Sequence, residues 1–213
     1  MDLDTFFVSV ERKINPKLIG MPVLVGGTGD RGVVASCSYE ARAFGIHSAM
    51  PMKTARLLCP QAVVVRGDHE AYSKHSNEIT DIIKESVPVY EKTSIDEFYV
   101  DLTGMDRFFG CYKLATELRQ KIIKESGLPI SFALSANKTV SKIGTDQAKP
   151  NGQIQIPFGD EKTFLAPLSV KKIPMVGDKT YHLLRGMGIE KIKTVGDAYI
   201  CASGLSDRNE SPA

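Results

Sequence analysis

Apolar positions change period several times along the chain, and each change marks an element. "MPVLVGG" and "GVVASCS" are short runs rich in β-branched residues, separated by "TGDR" with flanking glycines. They predict a hairpin. "AVVVR" adds a strand, and "DHEAYSKHSNEITDIIKES" sets Tyr72, Ile79, Ile82 and Ile83 on the inward side of a long amphipathic helix. "VPVYEK" and "DEFYVDL" predict two strands around the short turn "TSI". A helix over "YKLATELRQKIIKES" stops at Gly127, a strand covers "PISFALS", a helix over "KTVSKIGTDQA" stops at Pro150, and "GQIQI" is a further strand. Nearer the start, "DLDTFF" predicts a short strand leading into a helical stretch through Val10 and Glu11. "SYEARAFG" and "MPMKTARLLCP" predict short helices, the first ended by Gly45 and the second framed by Pro51 and Pro60. From about residue 165 no strand period is visible, so this part is expected to be all-helical, with a frayed polar tail over "GLSDRNESPA". The mixed order predicts an α+β fold: a mixed, mainly antiparallel sheet backed by helices, with a small α/β part before it and helices after it.

Composition narrows the class. The 213 residues are 42% hydrophobic and 24% charged, enough for a core without staples. Cys37, Cys59, Cys111 and Cys201 are scattered with no CxxC pair, which argues against a zinc or redox motif and for reduced thiols. The start lacks a signal-peptide pattern, and the apolar runs are too short to cross a bilayer, so a cytoplasmic protein with no membrane partner is expected. Net charge is only +2, but residues 131–193 hold ten Lys/Arg against five acids, leaving the remainder at −3. Such asymmetry fits an anionic polymer along one face; a well-solvated surface gives the same pattern.

The candidate chemistry lies in two acidic stretches. Asp96 and Glu97 are adjacent on a predicted strand, where neighbours face opposite sides, and a carboxylate facing the protein needs a partner. In "MDLDTFF" a strand would put Asp2, Asp4 and Phe6 on one side and Leu3, Thr5 and Phe7 on the other. If the two acidic strands were sheet neighbours, Asp2, Asp96 and Glu97 would converge. Three such carboxylates repel unless cations neutralise them, and hard oxygen ligands suit Mg²⁺. Two such ions can activate a hydroxyl and stabilise a leaving oxygen. Solvated strand ends are the plainer alternative.

"MDLDTFFVSVE", "ASCSYEARAFGI", "SIDEFYVDLT", "NKTVSKIGTDQAKPNGQ" and "KKIPMVGDKT", in that order, resemble the Y-family lesion-bypass DNA polymerases of the DNA polymerase IV type. The resemblance implies a palm over residues 1–10 and 72–164, fingers over 11–71, and a thumb with a helix-hairpin-helix over 165–213. It implies that Asp2, Asp96 and Glu97, with the backbone carbonyl of Leu3, hold two Mg²⁺ ions, with Asp4 in support. Phe7 would be the aromatic gate that rejects ribonucleotides, next to Phe6. Ser36 (where the family usually has Thr), Tyr39, Arg42, Tyr72 and Lys149 would bind the nucleotide. Lys171, Lys172, Val176, Gly177 and Lys179 would contact the DNA backbone, although Met175 replaces a usual glycine and Asp178 a neutral or basic residue. The implied partners are primer-template DNA, a dNTP and a sliding clamp bound through a C-terminal tail absent here, with the protein a monomer. The family usually has residues before the first acid and a fourth, DNA-gripping domain after the thumb. The chain is therefore expected to be a catalytic-core fragment, weak or inactive alone. The rival readings are a nucleotidyl cyclase, whose palm-like fold also sets metal acids on a hairpin, and a non-catalytic DNA-binding protein.

Overall fold

The computed structural model describes residues 1–29, 31–105, 110–195 and 198–201. The chain divides into two compact units, one of Met1–Ser131 with Lys149–Gly152, the other of Phe132–Ala148 with the chain from Gln153 onward.

In the first unit, β1 (Asp2–Leu3) leads into α1 (Phe6–Ile14) and a 3-10 turn at Pro16–Leu18. The predicted hairpin follows as β2 (Val23–Gly26) and β3 (Val34–Cys37), antiparallel, with β4 (Val63–Val65) parallel to β2 on its other side. Gly26 is required by close approach: a Cβ there would lie 2.3 Å from the Val33 carbonyl oxygen. The short helices α2 (Tyr39–Arg42) and α3 (Met52–Leu58) complete this part around Leu24, Val34, Ile46 and Met52. The long helix α4 (His69–Ser86) starts where the Asp68 side chain accepts from the amides of Glu70 and Ala71, at 3.0 and 3.1 Å. It buries Tyr72, Ile79, Ile82 and Ile83 as its periodicity predicts, together with Ser76. A second hairpin, β5 (Tyr90–Lys92) and β6 (Phe98–Val100), precedes α5 (Cys111–Ser126), which packs on α4 and ends at Gly127, a glycine in the left-handed region with φ 70°. The strand β7 (Ile130–Leu134) gives its first two residues to this unit.

In the second unit the rest of β7 pairs parallel with β8 (Gln153–Gln155), and α6 (Lys138–Ala148) packs against β8. A core of Val140, Ile143, Ile156, Leu165, Val170 and Ile192 joins them to α7 (Glu161–Leu165), a 3-10 turn at Val170–Lys172 and α8 (Asp178–Gly186). The all-helical expectation fails over β9 (Ile192–Val195) and β10 (Ala198–Cys201), an antiparallel hairpin. Its strand signal is a brief alternation, "KIKTV", whose Ile192 is buried. The expected frayed tail lies outside the described residues. Cys37, Cys59 and Cys111 carry free thiols. Among the described residues no helix is long and apolar enough to cross a membrane.

Candidate active site

The site belongs to the first unit and is assembled by backbone. On one side of β1, Asp2 is registered with Ser131 and Leu3 with Ile130. On the other, Asp2 bridges to Glu97; the Leu3 amide donates to the Asp96 carbonyl and the Phe98 amide to the Met1 carbonyl, both at 3.0 Å. The two acidic stretches, almost a hundred residues apart in the chain, are therefore immediate neighbours. The turn carrying the second acids is itself braced. Ser94 Oγ donates to Asp96 Oδ1 at 2.7 Å, the Thr93 amide donates to the Glu97 carbonyl at 3.1 Å, and Ser76 of α4 donates to the Ile95 carbonyl at 2.5 Å.

The backbone brings Asp2, Asp96 and Glu97 to one place. Among the described residues no three His, Cys, Asp or Glu side chains gather as a ready group for a metal ion. Asp2 is only 5% exposed and accepts a hydrogen bond from the Lys149 ammonium. A buried carboxylate must be neutralised, and lysine supplies the positive charge here.

Asp4 also departs from the strand reading. Thr5 turns left-handed at φ 41°, so the strand ends after Leu3 and Phe6 and Phe7 are helical. Asp4 is 1% exposed and accepts from Ser131 Oγ, at 2.9 and 3.0 Å, and from the Asn151 amide. Burial raises its pKa against the opposing pull of the Asn151 amide, the Ser131 hydroxyl and the Lys149 charge. Arg119 ties down the same turn, donating to the Asn151 carbonyl at 2.7 Å, to Asn151 Oδ1 at 2.6 Å and to the Ile130 carbonyl at 2.8 Å. The Gly152 amide donates to Ser131 Oγ at 3.1 Å. The turn that presents Lys149 is thus anchored at four places. Ser131, Asn151 and Arg119 were not singled out in the sequence, where nothing about their spacing marks them.

Beside β1, the Phe7 ring is stacked on Tyr72, with centroids 4.2 Å apart and 12° between planes. Tyr72 is completely buried, while Phe7 keeps part of its surface exposed and Phe6 points into the core. Burial raises the Tyr72 phenol pKa, reinforced by its hydrogen bond to Glu11. Glu11 lies at helical spacing after Phe7, behind the apolar "FFVSV" run. In the following elements Ser36 is buried in β3, and α2 presents Tyr39 with the Arg42 guanidinium 5.2 Å above its ring. Arg12 of α1 holds α2 through Glu40 at 2.8 Å; burial would raise the Glu40 carboxyl, but the Arg12 contact holds it below its ordinary value.

In the second unit Lys171, Lys172, Gly177 and Lys179 are exposed and Val176 is half-buried. Met175 adopts φ 72°, the left-handed conformation for which a glycine would be favoured. Asp178 pairs with Lys171 at 2.6 Å, and the hydrogen bond raises the lysine pKa.

Residues 1–146 match the impB/mucB/samB family. The chain belongs to that family. Among its impB/mucB/samB relatives, a DNA polymerase IV of Dehalococcoides mccartyi (strain CBDB1) is 43% identical over 98% of this chain and 53% of its own length. The DNA polymerase IV of Clostridium perfringens (strain 13 / Type A) is 38% identical over 100% of this chain and 64% of its own length. The fold is shared with DinB from Sulfolobus solfataricus, at TM-score 0.82 and 32% identity over 89% of this chain and 57% of that one. It is shared equally with an insertion ternary complex of Dbh DNA polymerase, at TM-score 0.81, 32% identity and the same coverage. The resemblance to Y-family polymerases and the α+β fold class therefore stand. This impB/mucB/samB chain spans about half the length of the curated relatives it matches.

Proposed function

We propose that this chain is the catalytic part of a template-directed, error-tolerant DNA polymerase that adds dNTPs to a primer 3′-hydroxyl. One observation carries the reading: Asp2 is bridged by backbone to the turn bearing Asp96 and Glu97. That is how chain segments far apart in sequence bring carboxylates to one place.

The residues present fit divalent cations. The donors are all hard oxygens, and a lysine ammonium already stands as a cation at Asp2. Asp2, Asp96, Glu97 and the Leu3 carbonyl would hold two Mg²⁺ ions. When bound, such ions neutralise phosphate charge and favour the alkoxide form of an attacking hydroxyl. The chain's own residues do the rest. Lys149, on its anchored turn, exchanges Asp2 for a triphosphate oxygen. Arg42, Tyr39 and Ser36 supply guanidinium and hydroxyl donors to the same anion. Phe7, supported from below by Tyr72, closes the space a 2′-hydroxyl would need.

On this reading palm, fingers and thumb occupy residues 1–10 with 72–164, 11–71 and 165–213. Lys171, Lys172 and Lys179, with the backbone at Val176 and Gly177, grip primer-template DNA without reading sequence. A sliding clamp is the proposed partner of the whole protein, which acts as a cytoplasmic monomer. The test is primer extension with Mg²⁺, on undamaged and damaged template, by the chain alone and by the chain joined to the C-terminal half of a DNA polymerase IV relative. Asp96→Asn is expected to abolish extension while leaving the melting temperature unchanged; normal extension by that variant would remove the site. Phe7→Ala is expected to admit ribonucleotides, and an unaltered preference for dNTPs would remove the gate.

A further inference from the structure

Glu11 has no part in the chemistry proposed above, yet it is a carboxylate only 7% exposed. Such a group is retained only with a partner. Its partner is the Tyr72 hydroxyl, which donates to Glu11 Oε1 at 2.5 Å. Glu11 stands one helical turn after Phe7 on α1, so the two side chains lie on the same helix face. Tyr72 comes from α4 and is held between them, its ring flat against Phe7 and its hydroxyl on Glu11. The ring edge lies beside Gly67, where an added Cβ would be 3.4 Å from both Tyr72 Cε2 and its hydroxyl oxygen, so the hydroxyl and the ring face are the contacts that orient it. A tilt or slide of the Tyr72 ring therefore works against its bond to Glu11, and Phe7 is stacked on that same ring.

Resting on the polymerase reading and its aromatic gate, we infer that Glu11 is a specificity-determining positioning residue: through the Tyr72 hydroxyl it fixes the height of the Phe7 ring and so the rejection of ribonucleotides. It touches neither the nucleotide nor the reacting atoms. Its effect is geometric. Phe7 excludes one oxygen atom, and a ring displacement of about 1 Å is enough to change such discrimination severely.

The test measures nucleotide preference without requiring turnover. The chain joined to the C-terminal half of a DNA polymerase IV relative, as in the extension test above, is bound to a primer-template whose primer ends in a dideoxynucleotide. The affinities of the matched dNTP and NTP are then compared in Mg²⁺ for the wild type, Glu11→Ala, Glu11→Gln and Tyr72→Phe. Glu11→Ala and Tyr72→Phe are expected to lose on the order of tenfold in preference for the dNTP. Glu11→Gln keeps an acceptor for the hydroxyl and is expected to retain the preference. In parallel, 3-fluorotyrosine is incorporated and the Tyr72 resonance assigned by its loss in Tyr72→Phe; in Glu11→Ala that resonance is expected to shift and sharpen as the ring is released. Wild-type preference in Glu11→Ala overturns the inference, as does loss of preference in Glu11→Ala alone, with a collapsed melting temperature and Tyr72→Phe unaffected. A wild type that binds the nucleotides without preference overturns the gate itself, and one that binds neither overturns the polymerase reading; both are distinguishable from a failure at Glu11.

Discussion

At Asp4, burial and hydrogen bonding compete over a single proton. Its pKa is raised, burial being the largest cause, so the native state holds the proton to higher pH than the unfolded chain does. Stability from this group is then greatest below the unfolded value and falls as pH rises through the window up to the folded value. Glu40 acts in the opposite sense: its folded pKa is lowered, and the stability it contributes is lost on acidification. Asp4→Asn isolates the first effect, because the amide oxygen can still accept from Ser131 and Asn151. Urea midpoints measured across the carboxylate range should show the variant gaining on the wild type as pH rises; a gap independent of pH would contradict the raised pKa.

Among the elements, those with a long apolar period were legible from sequence. Helices α4, α5 and α6 and both hairpins of the first unit lie where the pattern of Ile, Val and Leu placed them. The opening has the predicted strand and helix, but the strand is shorter than expected because "DLDTFF" suits both states and the switch is made by Thr5 at φ 41°. A β-branched residue rarely adopts that conformation, so nothing local announces the turn. Packing sets a further constraint on α6. A Cβ at Gly144 would lie 2.7 Å from Ala133 Cβ and from Ile156 Cδ1, so the helix sits closer to its strands than an alanine allows. Gly144→Ala gains helix propensity but overpacks this contact, and a net loss of about 1–2 kcal/mol is expected in chemical denaturation.

For the whole chain, the charge asymmetry read from the sequence bears on the proposed DNA contact, which the acid beside Lys171 would oppose. Lys171, one of the basic residues of the 131–193 stretch, is paired with Asp178. Asp178→Asn is expected to raise DNA affinity roughly two- to fivefold at low salt, in keeping with a weak exposed pair. The slope of log affinity against log salt should steepen by about one phosphate contact; an unchanged slope would show that Lys171 does not reach the backbone. The candidate site was legible as far as its acids, since two acidic strand ends demand an explanation. Its supports were not. Ser131 reaches Asp4 across 127 residues of chain, and Lys149 reaches Asp2 across 147. Periodicity speaks only of neighbours, and such pairings are set by the tertiary fold.

β1 is two residues long, and its backbone bonds are made with residues near 96 and 130. During synthesis from N- to C-terminus, Asp2 leaves the ribosome long before either partner exists. The segment bearing the first acid is made early and seated late, so the proposed site is assembled only once the surrounding architecture has been built.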